Sequence, residues 1–208
     1  MKRIGFYIVF FFSFASAKAQ QHFTIRYETR TMPEIRDNNI QFFPFIMVIR
    51  DTVSFTYYPR ITRKKDLMPL GSKYTPKSSY SNSASCLYIF PAGQADKPKT
   101  HHLVVDSCTK GNWTITDETK SIAGHTCKKA VGKMNGLEYT AWFAPDLPAG
   151  FAPFFLSDLP GTILEYWHEK GMSYTTAVEI TRKAWDIVEP NYCKRISREE
   201  YDRSRKPR

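Results

Sequence analysis

The chain has 208 residues and a formal net charge of +10 at pH 7, from 30 Lys and Arg against 20 Asp and Glu. This length suits one domain with a sizeable hydrophobic core and leaves little room for two. A basic chain can bind nucleic acid, but the sequence contains no zinc-finger, RNP-type or basic-helix pattern, so we expect no nucleic-acid partner.

The first residues have the pattern of an export signal. Residues 1–3 include two basic side chains, residues 4–14 are almost entirely apolar, and Ala17-Lys18-Ala19 matches the small-x-small cleavage pattern. The apolar stretch is shorter than the roughly 20 residues that a membrane-spanning helix needs. We therefore expect residues 1–19 to be a cleaved signal peptide and the protein to lie in the periplasm, at the outer membrane, or outside the cell.

The first part of the chain contains three strand-like segments. Residues 22–30 alternate apolar and polar side chains, which is the period of a half-buried strand. Residues 42–49 and 53–58 are aromatic and β-branched, and they suit a meander of antiparallel strands. Residues 59–85 are rich in Lys, Arg, Ser, Pro and Gly without periodicity, which predicts a long basic loop.

Strand-like runs resume in the second part of the chain, and two pairs of them predict hairpins. Asn135-Gly136 is the strongest short-range hairpin signal in the sequence. Lys170-Gly171 is the turn of the second predicted hairpin. The runs lie at residues 86–90, 103–105, 113–116, 127–133, 137–143, 162–168 and 173–183.

These elements predict a mainly β fold. About nine or ten short strands with few helices indicate a single domain, residues 20–193, built on a curved antiparallel sheet or a partial barrel. Residues 194–208 are too polar to bury and are predicted to be a disordered tail. The basic loop and tail also suggest peripheral contact with an anionic membrane or a polysaccharide.

Four cysteines predict disulfide bonds, because an exported protein generally folds in an oxidising compartment. They are Cys86, Cys108, Cys127 and Cys193, and three pairings are possible. The segments "CLYIF" and "HLVVDSC" look like the arms of a hairpin, which favours Cys86 with Cys108 and leaves Cys127 with Cys193. No C-x-x-C or H-x-x-x-H spacing is present, so we expect no metal and no cofactor.

Three segments carry a resemblance to a known family. They are "WTITDETKSIAGHTCKKA" (residues 113–130), "LEYTAWFAPDLPAGFAPF" (residues 137–154) and "DLPGTILE" (residues 158–165). In order and spacing they resemble the GLPGLI family of exported Bacteroidetes proteins, which has no established activity. The resemblance implies an exported, β-rich protein, with an architecture similar to the curved sheets of periplasmic lipoprotein carriers.

The turn Leu159-Pro160-Gly161 stands at the naming motif of that family. Proline presets the φ angle at the second position of a turn, and glycine accepts the positive φ that a type II turn needs at the third. We therefore predict a type II turn, after which the apolar run can re-enter the sheet at once.

Aromatic side chains crowd around the Pro-rich loop that precedes this turn, residues 144–161. A loop held by several prolines is stiff, and apolar rings on a stiff loop can cover or line a groove. The leading hypothesis is a non-catalytic protein that uses the curved sheet and this loop to hold an apolar ligand, a peptide or an envelope protein. The candidate binding residues are Trp142, Phe143, Pro145, Phe151, Phe154, Phe155, Leu159, Pro160, Gly161, Tyr166 and Trp167.

Two alternatives remain open. A periplasmic hydrolase-like enzyme would draw on His125, Glu165 or His168, provided that these side chains converge in one pocket. No G-x-S-x-G elbow is present to support it. The other alternative is a structural component of a cell-envelope assembly.

Overall fold

A computed structural model describes residues 22–31, 44–58, 78–94, 97–107, 111–134, 136–153, 155–171 and 173–205. The predicted signal peptide lies outside these residues. Within them, no helix is long and apolar enough to cross a membrane.

Strands dominate the described part of the chain, which confirms the predicted mainly β fold. One helix, α1 (Arg198–Arg205), follows the last strand. The strands are β1 (His22–Thr31), β2 (Phe45–Arg50), β3 (Val53–Tyr57), β4 (Ser78–Asn82), β5 (Leu87–Gln94), β6 (Lys97–Ser107), β7 (Thr114–Ile122), β8 (His125–Met134), β9 (Leu137–Ala144), β10 (Phe151–Ala152), β11 (Phe155–Leu156), β12 (Thr162–His168), β13 (Ser173–Thr181) and β14 (Arg195–Ser197).

Twelve of these strands form one sheet in the order β14-β6-β5-β4-β3-β2-β1-β13-β12-β9-β8-β7. Each neighbouring pair is antiparallel except β14 with β6, which is parallel. β1 lies near the middle of this order, between β2 and β13. β7 also contacts β13, from which it is separated by three strands in the sheet order, so this half of the sheet curls back on itself. The predicted curved antiparallel sheet is confirmed.

The main core lies inside the curled half of the sheet and extends to β2. It contains Phe23, Ile25 and Tyr27 of β1, which are the apolar residues of the predicted alternation. Tyr27 is fully buried, its ring stacks on Phe45 with centroids 5.1 Å apart, and its hydroxyl donates a 2.8 Å hydrogen bond to the carbonyl oxygen of Ile163. This bond joins β1 to β12 across the intervening strand β13.

Both predicted hairpins are present. β8 and β9 pair antiparallel across a turn that contains Gly136, whose φ of 78° lies in the left-handed region that favours glycine. β12 and β13 pair antiparallel through Glu165 with Thr176 and Tyr166 with Thr175.

The turn at Gly161 differs from the prediction. The amide of Gly161 donates a 2.8 Å hydrogen bond to the carbonyl oxygen of Leu159, which closes a three-residue turn around Pro160. The φ of Gly161 is not positive, so the predicted type II turn is wrong. Glycine is needed here because an added Cβ would lie 2.3 Å from the carbonyl oxygen of Ala144 on β9.

Two segments that the sequence predicts to be irregular contain regular structure. β4 lies inside the predicted basic loop, residues 59–85, of which residues 59–77 are outside the described part of the chain. Residues 195–205, within the predicted disordered tail, form β14 and α1. Ser197 caps the helix, because its Oγ accepts a 3.1 Å hydrogen bond from the amide of Glu200. Tyr201 then packs edge-on against Phe90 of β5, with centroids 6.0 Å apart.

Candidate functional site

The candidate binding residues of the Pro-rich loop do not form one surface. Adjacent residues on a strand point to opposite faces of a sheet, so Trp142 and Phe143 enter different cores. Pro145 and Pro160 are exposed, and Gly161 is buried. The main core takes Trp142, Phe151 and Trp167, and a second core on the other face takes Phe143, Leu159 and Tyr166. The side chains of Phe154 and Phe155 lie outside the described part, and a binding role for the loop stays a prediction.

The three residues of the enzyme alternative have separate partners. His125 Nδ1 lies 2.7 Å from Asp146 Oδ2, and the ring of His168 packs against Tyr139 with centroids 5.4 Å apart. Lys120 Nζ donates a 2.5 Å hydrogen bond to Glu165 Oε1.

Glu165 lines a shallow cleft of about 380 Å³ where β7 meets β12 and β13, together with Arg30, Lys120 and Thr176. Neither His125 nor His168 lines this cleft. The Lys120 ammonium also lies 4.3 Å from the centroid of the Trp142 ring, a cation–π distance. Lys120 therefore covers the ring of Trp142 and neutralises the carboxylate of Glu165.

The two described cysteines that were predicted to pair are both free thiols. Cys127 belongs to the main core, whereas Cys193 packs against a third cluster that contains Tyr80, Ile89 and Leu103. The predicted bond between Cys127 and Cys193 is therefore wrong, and no disulfide joins two described cysteines. Cys86 is not a free thiol, but Cys108 lies outside the described residues, so that pairing stays a prediction.

Burial raises the pKa of the Cys127 thiol to about 12, with Asp146 adding to the shift and Lys120 opposing it. Because the thiolate is the reactive form, we expect iodoacetamide at pH 8 to alkylate the half-buried Cys193 and to spare Cys127 in the folded protein. Both should react in denaturant, and peptide mass spectrometry distinguishes the two sites. Equal native labelling of both cysteines would contradict the buried position of Cys127.

Metal binding has no evident site in the part of the chain that the structure describes. No group of three or more His, Cys, Asp or Glu side chains there is arranged to hold a metal ion.

Residues 182–194 connect β13 to β14 without regular secondary structure and cross one face of β3, β4 and β5. We call this segment the strap. Arg50 on β2 forms an ion pair with Asp186, and Arg195 forms one with Glu189 at 2.7 Å. The carbonyl oxygen of Lys194 accepts a 2.9 Å hydrogen bond from the amide of Leu103. These contacts fix both ends of the strap to the sheet.

A cleft of about 400 Å³ lies between the strap and the sheet, and we call it the strap cleft. Its sheet side is mostly apolar or aromatic, and its strap side alternates apolar, acidic and amide side chains. Tyr192 is 43% exposed and Val188 is 80% exposed, so the strap side is open to solvent. The lining residues are Phe55, Ser78, Ser79, Tyr80, Ile89, Pro91, Asp186, Ile187, Val188, Glu189, Pro190, Asn191 and Tyr192.

The strap cleft carries little net charge. Burial raises the pKa of Tyr80, and Glu189 raises it further against the lowering effects of Asn82 and Arg195. Burial, with a smaller contribution from Cys193, also raises the pKa of Tyr192. Both phenols therefore keep their protons at neutral pH, and each acid of the cleft is paired with an arginine.

The strap is not among the sites that the sequence predicts. Residues 184–192, "AWDIVEPNY", combine apolar side chains, two acids and a proline. This mixed composition is the local signal that the segment could pack on the sheet without forming a strand. Which face of the sheet such a segment covers depends on contacts far away in the sequence.

These features define a mainly β domain with a large curled sheet and a ligand-sized cleft under an irregular strap. The chain belongs to the family described as N-glycanase peptide, N-terminal domain, whose model matches residues 84–202. It is similar in fold to PNGF-II in space group C2 (TM-score 0.64, 19% identity) over 88% of this chain and 32% of that one. PNGF-II in space group P21 matches with a TM-score of 0.61 and 18% identity, over 88% of this chain and 33% of that one. This chain thus spans about a third of the PNGF-II chains it matches, and comparison with curated proteins finds no match.

The resemblance to the GLPGLI family is overturned by this match. The matched family model spans residues 84–202 and so includes all three segments on which the resemblance depends. A short turn motif can also arise from packing alone, and the glycine at position 161 is required by its contact with Ala144.

Proposed function

We propose that this chain is a non-catalytic accessory domain. It would recognise the glycan-bearing substrate of a glycan-processing enzyme. The observation that carries the proposal is the family match to the N-terminal domain of an N-glycanase. This chain matches about a third of the PNGF-II chain, so about two thirds of that chain has no counterpart in the match. A supporting domain of this kind would raise the local concentration of substrate near a catalytic domain.

The geometry favours binding over catalysis. Among the described residues, Glu165 is paired with Lys120, His125 contacts Asp146 and His168 contacts Tyr139, so the three residues of the enzyme alternative do not converge on one pocket. The strap cleft, in contrast, has the size and mixed lining of a ligand pocket.

We place this function outside the cytoplasm. The motivation is the signal-peptide pattern of residues 1–19, and an envelope partner or a polysaccharide surface fits the same location. A cleaved N-terminus, determined by mass spectrometry of the protein from its native envelope, would support this placement, and an intact Met1 would oppose it.

Calorimetric titration of the full chain with an asparagine-linked glycopeptide, and with the same peptide lacking the glycan, tests the proposed function. We expect the glycopeptide to bind at least about tenfold more tightly, which corresponds to about 1.4 kcal/mol. Incubation with the glycopeptide alone should release no glycan. Equal affinities for the two peptides, or glycan release by this chain, would overturn the proposal.

A further inference from the structure

The dimensions of the strap cleft set the size of a possible ligand. Its volume of about 400 Å³ lies within the range of about 300 to 1,000 Å³ that is usual for small-molecule sites. The cleft is therefore large enough for a ligand of one or two rings.

The strap cleft has a mostly apolar floor and polar groups on its strap side. Tyr80 and Ile89 are buried and make the floor apolar, while Tyr192 offers a partly exposed ring at the rim. Asp186, Glu189 and Asn191 supply carboxylate and amide groups on the strap. A ligand that matches this division has an apolar face for the rings and a rim of hydroxyl or amide groups for the strap.

The ion pairs of the strap argue against a charged ligand. Asp186 and Glu189 are each neutralised by an arginine, yet their remaining lone pairs can accept hydrogen bonds from hydroxyl groups. A charged ligand would have to compete with one of these pairs or enter the cleft without an opposite charge, so its partial desolvation would not be compensated.

We infer that the strap cleft binds a neutral sugar ring, whose C–H face packs on Tyr192 and the floor and whose hydroxyl groups face Asp186 and Glu189. The inference rests on the proposed function for the class of ligand, and it adds the site and its selectivity. Neutral sugars meet both requirements of the cleft because each ring carries an apolar face and a polar rim without net charge.

The experiment uses N,N′-diacetylchitobiose, a neutral disaccharide, as the probe. In a methyl NMR titration of the full chain, we expect the resonances of Ile187 and Val188 to shift and those of Ile115 to stay fixed. Ile115 is the control because it is 46% exposed and lies on β7, far from the strap in the sheet order. Absence of binding, or shifts confined to residues outside the cleft, would overturn the inference.

Two variants test the role of the rim. Tyr192→Ala should weaken disaccharide binding at least about tenfold, whereas Tyr192→Phe, which keeps the ring, should stay within about twofold of the wild type. Ile115→Ala is the matched truncation elsewhere on the surface and should leave the affinity unchanged. The wild-type shifts need no variant, so they locate the site even if Tyr192→Ala loses stability.

Selectivity is the third readout. A uronic-acid disaccharide should bind more weakly than the neutral probe, and tighter binding of the charged sugar would contradict the charge argument. The two proposals fail separately: glycopeptide binding that is unchanged in Tyr192→Ala would overturn the strap cleft and leave the accessory function intact. Equal affinity for the glycosylated and bare peptides would overturn the accessory function itself.

Discussion

Gly161→Ala is expected to destabilise the fold by about 3 kcal/mol or more, because the new methyl group has nowhere to move. The added Cβ would lie 2.3 Å from the carbonyl oxygen and 2.7 Å from the carbonyl carbon of Ala144, and 2.9 Å from Cδ2 of Phe143. Two of these atoms are backbone atoms at the end of β9, where it pairs with β12, so relief requires the two strands to separate there. For a domain of this size we expect the melting temperature to fall by about 6–12 °C.

Gly124→Ala is the matched control. Gly124 lies in the β7–β8 turn with a φ of 85°, and an added Cβ would have no atom within 4 Å. Its cost is confined to the left-handed backbone and should be about 1 kcal/mol. The melting temperatures of the two variants, measured by calorimetry, separate the cost of the steric clash from the cost of the backbone conformation. Equal melting temperatures for the two would mean that β9 and β12 do not approach each other at Gly161.

The contrast between these glycines shows which parts of the fold were accessible from the sequence. A hairpin turn such as that at Gly136 is local, so its signal lies in adjacent residues and the prediction was correct. The requirement at Gly161 comes from Ala144, which is distant along the chain and becomes a neighbour only when β9 pairs with β12. Sequence patterns identify glycine there but not the reason for it.

β4 and the C-terminal segment show the same limit for whole elements. "SSYSN" has few of the β-branched and aromatic residues that favour strands, and it forms β4 because β3 and β5 hold it on both sides. The segment after Ser197 is strongly polar, yet a capping serine and the contact of Tyr201 with Phe90 hold it as a helix. In both cases tertiary contacts outweigh local composition.

The candidate site was missed for a related reason. The sequence directs attention to the richest cluster of aromatic residues, and the structure places many of those side chains in two cores. The strap cleft draws on β3, β4, β5 and residues 186–192, four separate stretches with unremarkable composition. A site assembled from such pieces has no local signature.

Phe143→Ala should be among the most destabilising single substitutions in the chain, at about 3–5 kcal/mol. Phe143 is fully buried on β9, where it packs with Leu159 and Ile163 in the second core. Truncation leaves a cavity between strands that are already fixed by their hydrogen bonds, so collapse around the site is limited. The midpoint of urea unfolding should fall with little change in slope.

Comparison of Phe143→Ala with Tyr192→Ala decides between the Pro-rich loop and the strap cleft as the binding surface. Phe143 is fully buried, whereas Tyr192 is 43% exposed on the strap. If the strap cleft is the site, Phe143→Ala loses stability but retains disaccharide affinity under conditions where it is folded, and Tyr192→Ala does the reverse. If Phe143→Ala loses affinity while folded and Tyr192→Ala does not, the strap cleft is not the site, and the second core next to the Pro-rich loop supports the binding surface instead. The melting temperature of each variant is measured first, and its affinity is then measured below that temperature. A loss of affinity in the folded variant therefore reflects a lost contact and not lost folding.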